Sequence, residues 1–243
     1  MKVIDAVWEK TNLGASTVEI VIENCDNIAE IDQVLRENGT NEYVVVKSPS
    51  DYPEAISLIQ NHGFSFVEAS MSLIIKTSEL TVDTKFESVI SRCSYREMGN
   101  NDILFMEEQV RRGIFSTDRI SVDPMFSRAV AANRYINWMR DLNRRGNPYI
   151  KVDYDNKTVG FFINNKLSDT AYDGVLAGVY EPYLNSGMGY CVQWAGVDFA
   201  RSQGAKKYFG HISINNPGVL KILVSLGYNL LNIQYIFVKH GGL

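Results

Sequence analysis

The segment Val179-Tyr-Glu-Pro-Tyr-Leu-Asn-Ser-Gly187-Met-Gly189 joins a short apolar run to a helical one, and residues of these types could hold an anion. Ahead of it, Gly174 to Val179 reads as a buried strand. Behind it, Tyr190 to Ser202 carries Val192, Ala195 and Phe199 at helical spacing, with Gly204 as the cap. A strand, a glycine turn and a helix N-terminus leave amides pointing outward with the positive end of the helix dipole behind them. Glycine also lets a diphosphate approach the backbone. The spacing is neither the G-x-G-x-x-G of a dinucleotide fold nor the lysine-bearing P-loop, and many short glycine loops only turn the chain.

Proton chemistry points to a second segment, Gly210-His-Ile-Ser-Ile-Asn215, where His211, Ser213 and Asn215 share one face of a strand. Histidine exchanges its proton close to neutrality, so His211 suits a base; the alternative is a strand histidine that is exposed or held by a hydrogen bond. Asp173, at the entrance to the preceding strand, is the rival base, unless it is merely solvated. His62 and His240 stand by a helix cap and in the tail and carry no expected chemistry. No His/Cys cluster has metal-ligand spacing, so no metal is expected.

Composition narrows the class of protein that must position these groups. A formal charge of −4 with no basic stripe argues against nucleic acid as a partner. No apolar run reaches the length of a membrane span, and charge follows Met1 too soon for a signal sequence. Cys25, Cys93 and Cys191 are odd in number and widely separated, which fits reduced thiols and a cytoplasmic location.

An internal repeat organises the elements. Val44 to Lys47 reads as a strand, Pro53 to Gly63 as a proline-started, glycine-stopped helix, and Phe66 to Ile75 as another strand. The pattern returns as Tyr208–Ile214, Pro217–Gly227 and Leu230–Val238, so that Gly63 and Gly227 stand 164 positions apart, as do Pro53 and Pro217. Duplication explains this better than two unrelated units. A boundary fits the polar stretch 77–87, giving a short lobe over 1–80 and a fuller one over 90–243. The short lobe has no glycine loop like Asn185–Gly189 and reads as structural. In the fuller lobe, Ile103, Met106, Val110 and Ile114 follow helical spacing, as do Ala131, Tyr135, Trp138 and Leu142. Tyr149–Tyr154 and Thr158–Ile163 read as a hairpin.

This order of elements, with its glycine loop and an Asn-started final helix, resembles the GNAT superfamily of N-acetyltransferases. The family loop Q/R-x-x-G-x-G/A reads Leu184-Asn-Ser-Gly187-Met-Gly189 here. The family helix N-x-x-A-x-x-x-Y-x-x-x-G-F reads Asn216-Pro-Gly-Val219-Leu-Lys-Ile-Leu223-Val-Ser-Leu-Gly227-Tyr228. The resemblance covers roughly residues 93–240. Softer motifs, Arg119-Ile-Ser-Val-Asp123-Pro-Met-Phe126 and Tyr135-x-x-Trp138 after a truncated first copy, are similar to the dTDP-fucosamine acetyltransferase group. The expected fold is therefore α/β with a mixed sheet: a GNAT fold behind a truncated GNAT-like N-terminal lobe.

The resemblance implies acyl transfer from acetyl-CoA, or a longer or hydroxylated acyl-CoA, to an amine. It implies pyrophosphate binding by the amides of Leu184, Asn185, Ser186, Gly187, Met188 and Gly189. It also implies pantetheine contacts along Leu176, Ala177 and Val179, whose side chains could equally be plain core, and a place for Asn216 beside the cofactor. Leu223 stands where the family tyrosine protonates the leaving thiolate, so either water or another group helps the thiolate leave or a nearby tyrosine, Tyr183 or Tyr228, serves. The subfamily implies a nucleotide-linked amino-deoxysugar acceptor for surface polysaccharide, met by Phe115, Arg119 and Phe126 in the loop between two helices. Arg119 could instead form a surface ion pair with Asp118 or Asp123. Other readings are acylation of a protein N-terminus, polyamine or antibiotic, or a silent coenzyme A-binding module. A monomer or a homodimer is expected.

Overall fold

Runs of β-branched and aromatic residues, such as Tyr43-Val-Val-Val and Phe161-Phe-Ile, set the strands, and proline–glycine punctuation sets the helices between them. The computed structural model describes residues 1–241. The N-terminal part contains β1 (Lys2–Asp5), α1 (Val7–Leu13), β2 (Thr17–Val21), α2 (Ile28–Asn38), β3 (Tyr43–Pro49), α3 (Pro53–Asn61) and β4 (Ser65–Lys76). Next come α4 (Thr84–Ile90), β5 (Cys93–Glu97), α5 (Asn100–Arg111), α6 (Arg119–Val122), α7 (Arg128–Arg144), β6 (Tyr149–Tyr154) and β7 (Lys157–Ser168). The chain finishes with β8 (Ala171–Val179), α8 (Met188–Ser202), β9 (Lys207–Ser213), α9 (Pro217–Ser225) and β10 (Asn229–His240). Part of the polar stretch read as a boundary is thus helical: α4 stacks Phe86 on Tyr190 of α8.

Among the described residues, ten strands form one mixed sheet in the order β1-β2-β3-β10-β4-β9-β8-β7-β6-β5. Around β6 and β7 it is covered on both faces. Phe161 and Ile163 pack with Met106, Val110 and Met139 of α5 and α7 on one side. Ile150, Val152 and Phe162 pack with Cys191, Val192 and Ala195 of α8 on the other. Each fully buried phenylalanine there stabilises the layers by about 1.5–3 kcal/mol relative to exposure.

The repeat is present to the residue. The bounds of β3, α3 and β4 recur in β9, α9 and β10 after 164 positions. Gly63 and Gly227, just past the two helices, both adopt positive φ. The two copies exchange their last strands: β10 lies between β3 and β4, while β4 lies between β10 and β9. Registers match across the repeat, Tyr43↔His240 in one copy answering Lys207↔Lys76 in the other. Ser70 pairs with Gln234, its own repeat partner, so a pseudo-twofold axis passes between them.

Candidate active site

The two halves differ where a parallel pair leads into the repeat. In the first half β2 and β3 pair from Thr17↔Tyr43 to Val21↔Lys47. In the second, β8 and β9 pair only from Ala171↔Lys207 to Gly174↔Gly210, although β8 runs on to Val179 and β9 to Ser213. Beyond Gly174 the strands splay. A cleft of about 310 Å³ fills the gap, lined by Leu176 and Ala177 of β8, His211 and Ser213 of β9, and Asn216 and Leu223 at and within the final helix. β7 pairs with the far side of β8, so the edge of β8 toward β9 keeps its backbone groups open to the cleft. Val179 packs instead with Val192 and Met188 against α8. A Cβ at Gly178 would come within 3.1 Å of Phe115 and Ile114, so glycine lets the α5 side close over this strand.

The glycine loop lies at the end of β8, with Gly187 as the N-cap of α8 at φ 86°. Gly189 abuts Val179 and Ile222, which places the start of α8 between β8 and α9. Leu184 and Ser186 donate their amides back to Glu181 and Tyr183. The amides of Asn185, Gly187, Met188 and Gly189 have no carbonyl partner among the described residues, and nothing stands within 4 Å of where a Gly187 side chain would go. Asn185 itself adopts positive φ. Four free amides at an unobstructed helix start make an anion cradle. The Leu184 side chain is exposed, the Met188 side chain packs into the core, and Asn216 caps α9 by accepting from the Val219 amide at 3.2 Å.

His211 stands in the cleft wall, half-exposed, with Nδ1 3.0 Å from the Ser72 hydroxyl of β4 and Nε2 3.5 Å from Asp173 Oδ1. Burial pushes the Asp173 carboxyl up, and the facing imidazole pulls it down less. Its Oδ1 has no hydrogen-bond partner. His211 thus lines the cleft, and Asp173 stands beside it without lining the cleft itself. Sequence reasoning missed a third group, Glu68 on β4. This carboxyl is buried, lines the same cleft, and accepts the Arg119 amide at 3.0 Å. Burial raises its pKa against hydrogen bonds from Ser213 and Arg119. The available signal was one carboxylate, Glu68, on the strand face it shares with Ser70 and Ser72, opposite the apolar Val67, Ala69, Met71, Leu73 and Ile75. Tyr228 also lines the cleft, and burial drives its phenol well above the usual range. The Tyr208 hydroxyl is committed to Asn164 at 2.7 Å.

The acceptor loop departs from its expectation. Arg119 points away from solvent, its Nη2 held by Glu9 at 2.9 Å and Glu19 at 3.1 Å, so its charge is spent on the N-terminal half. A buried guanidinium paired in this way is not free for a diphosphate. Phe126 packs edge-on to Tyr43 at 5.1 Å and beside His240, outside the cleft. Phe115 alone of the three stays at the cleft in an available position, tilted against Tyr135 at 4.6 Å. Among the described residues no cluster could hold a metal ion, and no helix is long and apolar enough to cross a membrane.

No protein-family model matches the chain, and no curated relative matches it. Solved structures do. A conserved protein of unknown function from Staphylococcus epidermidis superposes with a TM-score of 0.63 at 12% identity, over 93% of this chain and 85% of the other. A GCN5-related N-acetyltransferase from Kribbella flavida gives 0.59 at 13% identity, over 93% and 82%. This chain has the GNAT fold. A tandem GNAT protein from the clavulanic acid biosynthesis pathway, at 0.56 and 9% identity, matches over 95% of this chain and 77% of its own. That breadth extends the GNAT likeness across both halves of the sheet, not only the half that carries the splay.

Proposed function

We propose that the protein is an acyl-CoA-dependent N-acyltransferase. The observation that carries this reading is the splay of β8 from β9 with four free amides at its mouth. A pyrophosphate fits the cradle of Asn185, Gly187, Met188 and Gly189, and the open edge of β8 suits the amide groups of a pantetheine arm. Acyl-CoA supplies the acyl group as a thioester. His211 and Glu68 line the cleft, with Asp173 beside His211, and either could receive the proton that an attacking amine must lose as its nitrogen bonds to the acyl carbon and the C–S bond breaks. Leu223 cannot protonate the leaving thiolate; Tyr228 keeps its proton and lines the same cleft.

For the acceptor, a nucleotide-linked amino-deoxysugar is our finer reading, supported by the resemblance of the Arg119–Phe126 and Tyr135–Trp138 segments. Its charged end must lie elsewhere than at Arg119. Calorimetry with acetyl-CoA, followed by thiol release against a panel of amines, tests the whole reading. We expect binding of acetyl-CoA and turnover with an amino sugar nucleotide. Absence of acetyl-CoA binding overturns acyl transfer, and binding without turnover on any amine turns the reading toward a silent module.

A further inference from the structure

A second cavity, of about 430 Å³, adjoins the cleft along α7 and has no part in the chemistry described so far. Arg134 and Trp138 line both spaces. Asp141 and Arg145 continue the same face of the helix, and α1 of the N-terminal half supplies the opposite wall through Trp8, Glu9 and Asn12. From Arg134 to Arg145 the helix rises about 16 Å at 1.5 Å per residue. A molecule reacting in the cleft therefore reaches this crevice only if it is long.

The walls are built and held. Glu9 is fully buried and takes Arg134 Nε on both its oxygens, at 2.9 and 3.1 Å, in addition to Arg119. Asn137 donates to Asn12 at 2.9 Å. These bonds clamp α1 to α7 and satisfy their own charges. The apolar groups are not covered in the same way: Trp8 is 48% exposed and Trp138 37% exposed, unusual for indoles facing one space. Asp141 is paired with Arg144, which leaves Arg145 exposed and without a carboxylate partner among the described residues. Two part-exposed indoles lining one crevice, Trp138 with Tyr135 beside it, suit a flat ring, and an uncommitted guanidinium suits an anion.

We propose that the Trp8–Trp138 crevice binds the nucleoside diphosphate end of the acceptor, with the base against the indoles and Arg145 near the phosphates. This rests on the acyl-transfer reading for what lies at the far end of the same molecule. It gives the N-terminal half a recognition role through α1.

The test is a calorimetric titration of thymidine diphosphate and uridine diphosphate into the full chain, free and saturated with coenzyme A. Saturation occupies the loop amides and leaves only the crevice to read. We expect binding of a diphosphate in both states, weaker binding of the bare nucleoside, and a loss of tenfold or more in Trp8→Ala. Arg145→Gln should weaken the diphosphate but not the nucleoside. Both side chains are exposed, so thermal melting should confirm folded variants, and both should keep wild-type coenzyme A affinity. If neither diphosphate binds, or Trp8→Ala binds as well as wild type, the proposal is overturned. Should coenzyme A fail to bind while the diphosphate result holds, the acyl-transfer reading falls and the crevice stands.

Discussion

At the scale of single residues, the proposed acyl transfer leaves His211, Asp173 and Glu68 as candidate bases. Asp173 does not line the cleft, and one oxygen of Glu68 is already taken by the Arg119 amide. His211 alone is half-exposed on the cleft wall with a second partner, Ser72, fixing the opposite nitrogen. It is therefore the group best placed to accept the proton. A base works only when deprotonated, so activity must fall on the acid side of the pH profile. His211→Asn should lower kcat about a hundredfold and flatten that acid limb, whereas Glu68→Gln should keep the limb and lower kcat less. pH–rate profiles of the two variants decide the matter. A flat profile in Glu68→Gln, with His211→Asn nearly unaffected, would move the role to Glu68, whose carboxyl burial has already pushed up.

At the scale of elements, the loop and its helix stand or fall on backbone conformation. Gly187 and Gly204 sit beyond opposite ends of α8, both with positive φ and both with open space where a side chain would go. Replacing either with alanine forces an L-residue into the left-handed region at a cost of about 1–2 kcal/mol, or about 2–8 °C in Tm for a chain of this size. Only Gly187→Ala places a methyl group at the free amides. We expect both variants to melt lower by similar amounts and only Gly187→Ala to lose coenzyme A affinity, by tenfold or more in calorimetry. Equal affinities would remove the cradle from the site.

Much at this scale was legible in the sequence because it is local. Proline and glycine punctuation placed α3 and α9, and helical spacing placed α7 and α8. Other features depend on residues far apart. Arg119 looked like a surface cation because its partners, Glu9 and Glu19, lie about a hundred positions upstream. The splay itself left no mark, since where β8 and β9 stop pairing is not written in the residues of either strand. Glu68 joined the cleft only because β4 lies beside β9.

At the scale of the whole molecule, the repeat shows where the two halves part: the candidate cleft opens in only one of them. Repeat partners show it directly: Lys47 answers His211, and Glu19 lies on the strand beside Lys47 as Asp173 lies beside His211. In the first half the pair is an ion pair of 2.8 Å across fully zipped strands, and Glu19 also anchors Arg119. In the second, the pair stands at an opened edge. The exchange of β4 and β10 then binds the halves, because each strand is flanked on both sides by strands that begin or end the other copy. Residues 1–80 alone would leave β4 with neither of its neighbours. Residues 90–243 alone would leave β10 with neither of its own, and the cleft without Glu68, Ser70 and the Ser72 that holds His211. Exposed strand edges of that length favour aggregation over folding. The full chain should therefore unfold in one transition, coincident by circular dichroism and tryptophan fluorescence. Each segment expressed alone should be insoluble or unfolded, and co-expression of both should restore a soluble complex that binds coenzyme A. A soluble 90–243 segment with its own cooperative transition and full coenzyme A affinity would show that the exchanged strands are dispensable and that the site belongs to one half alone.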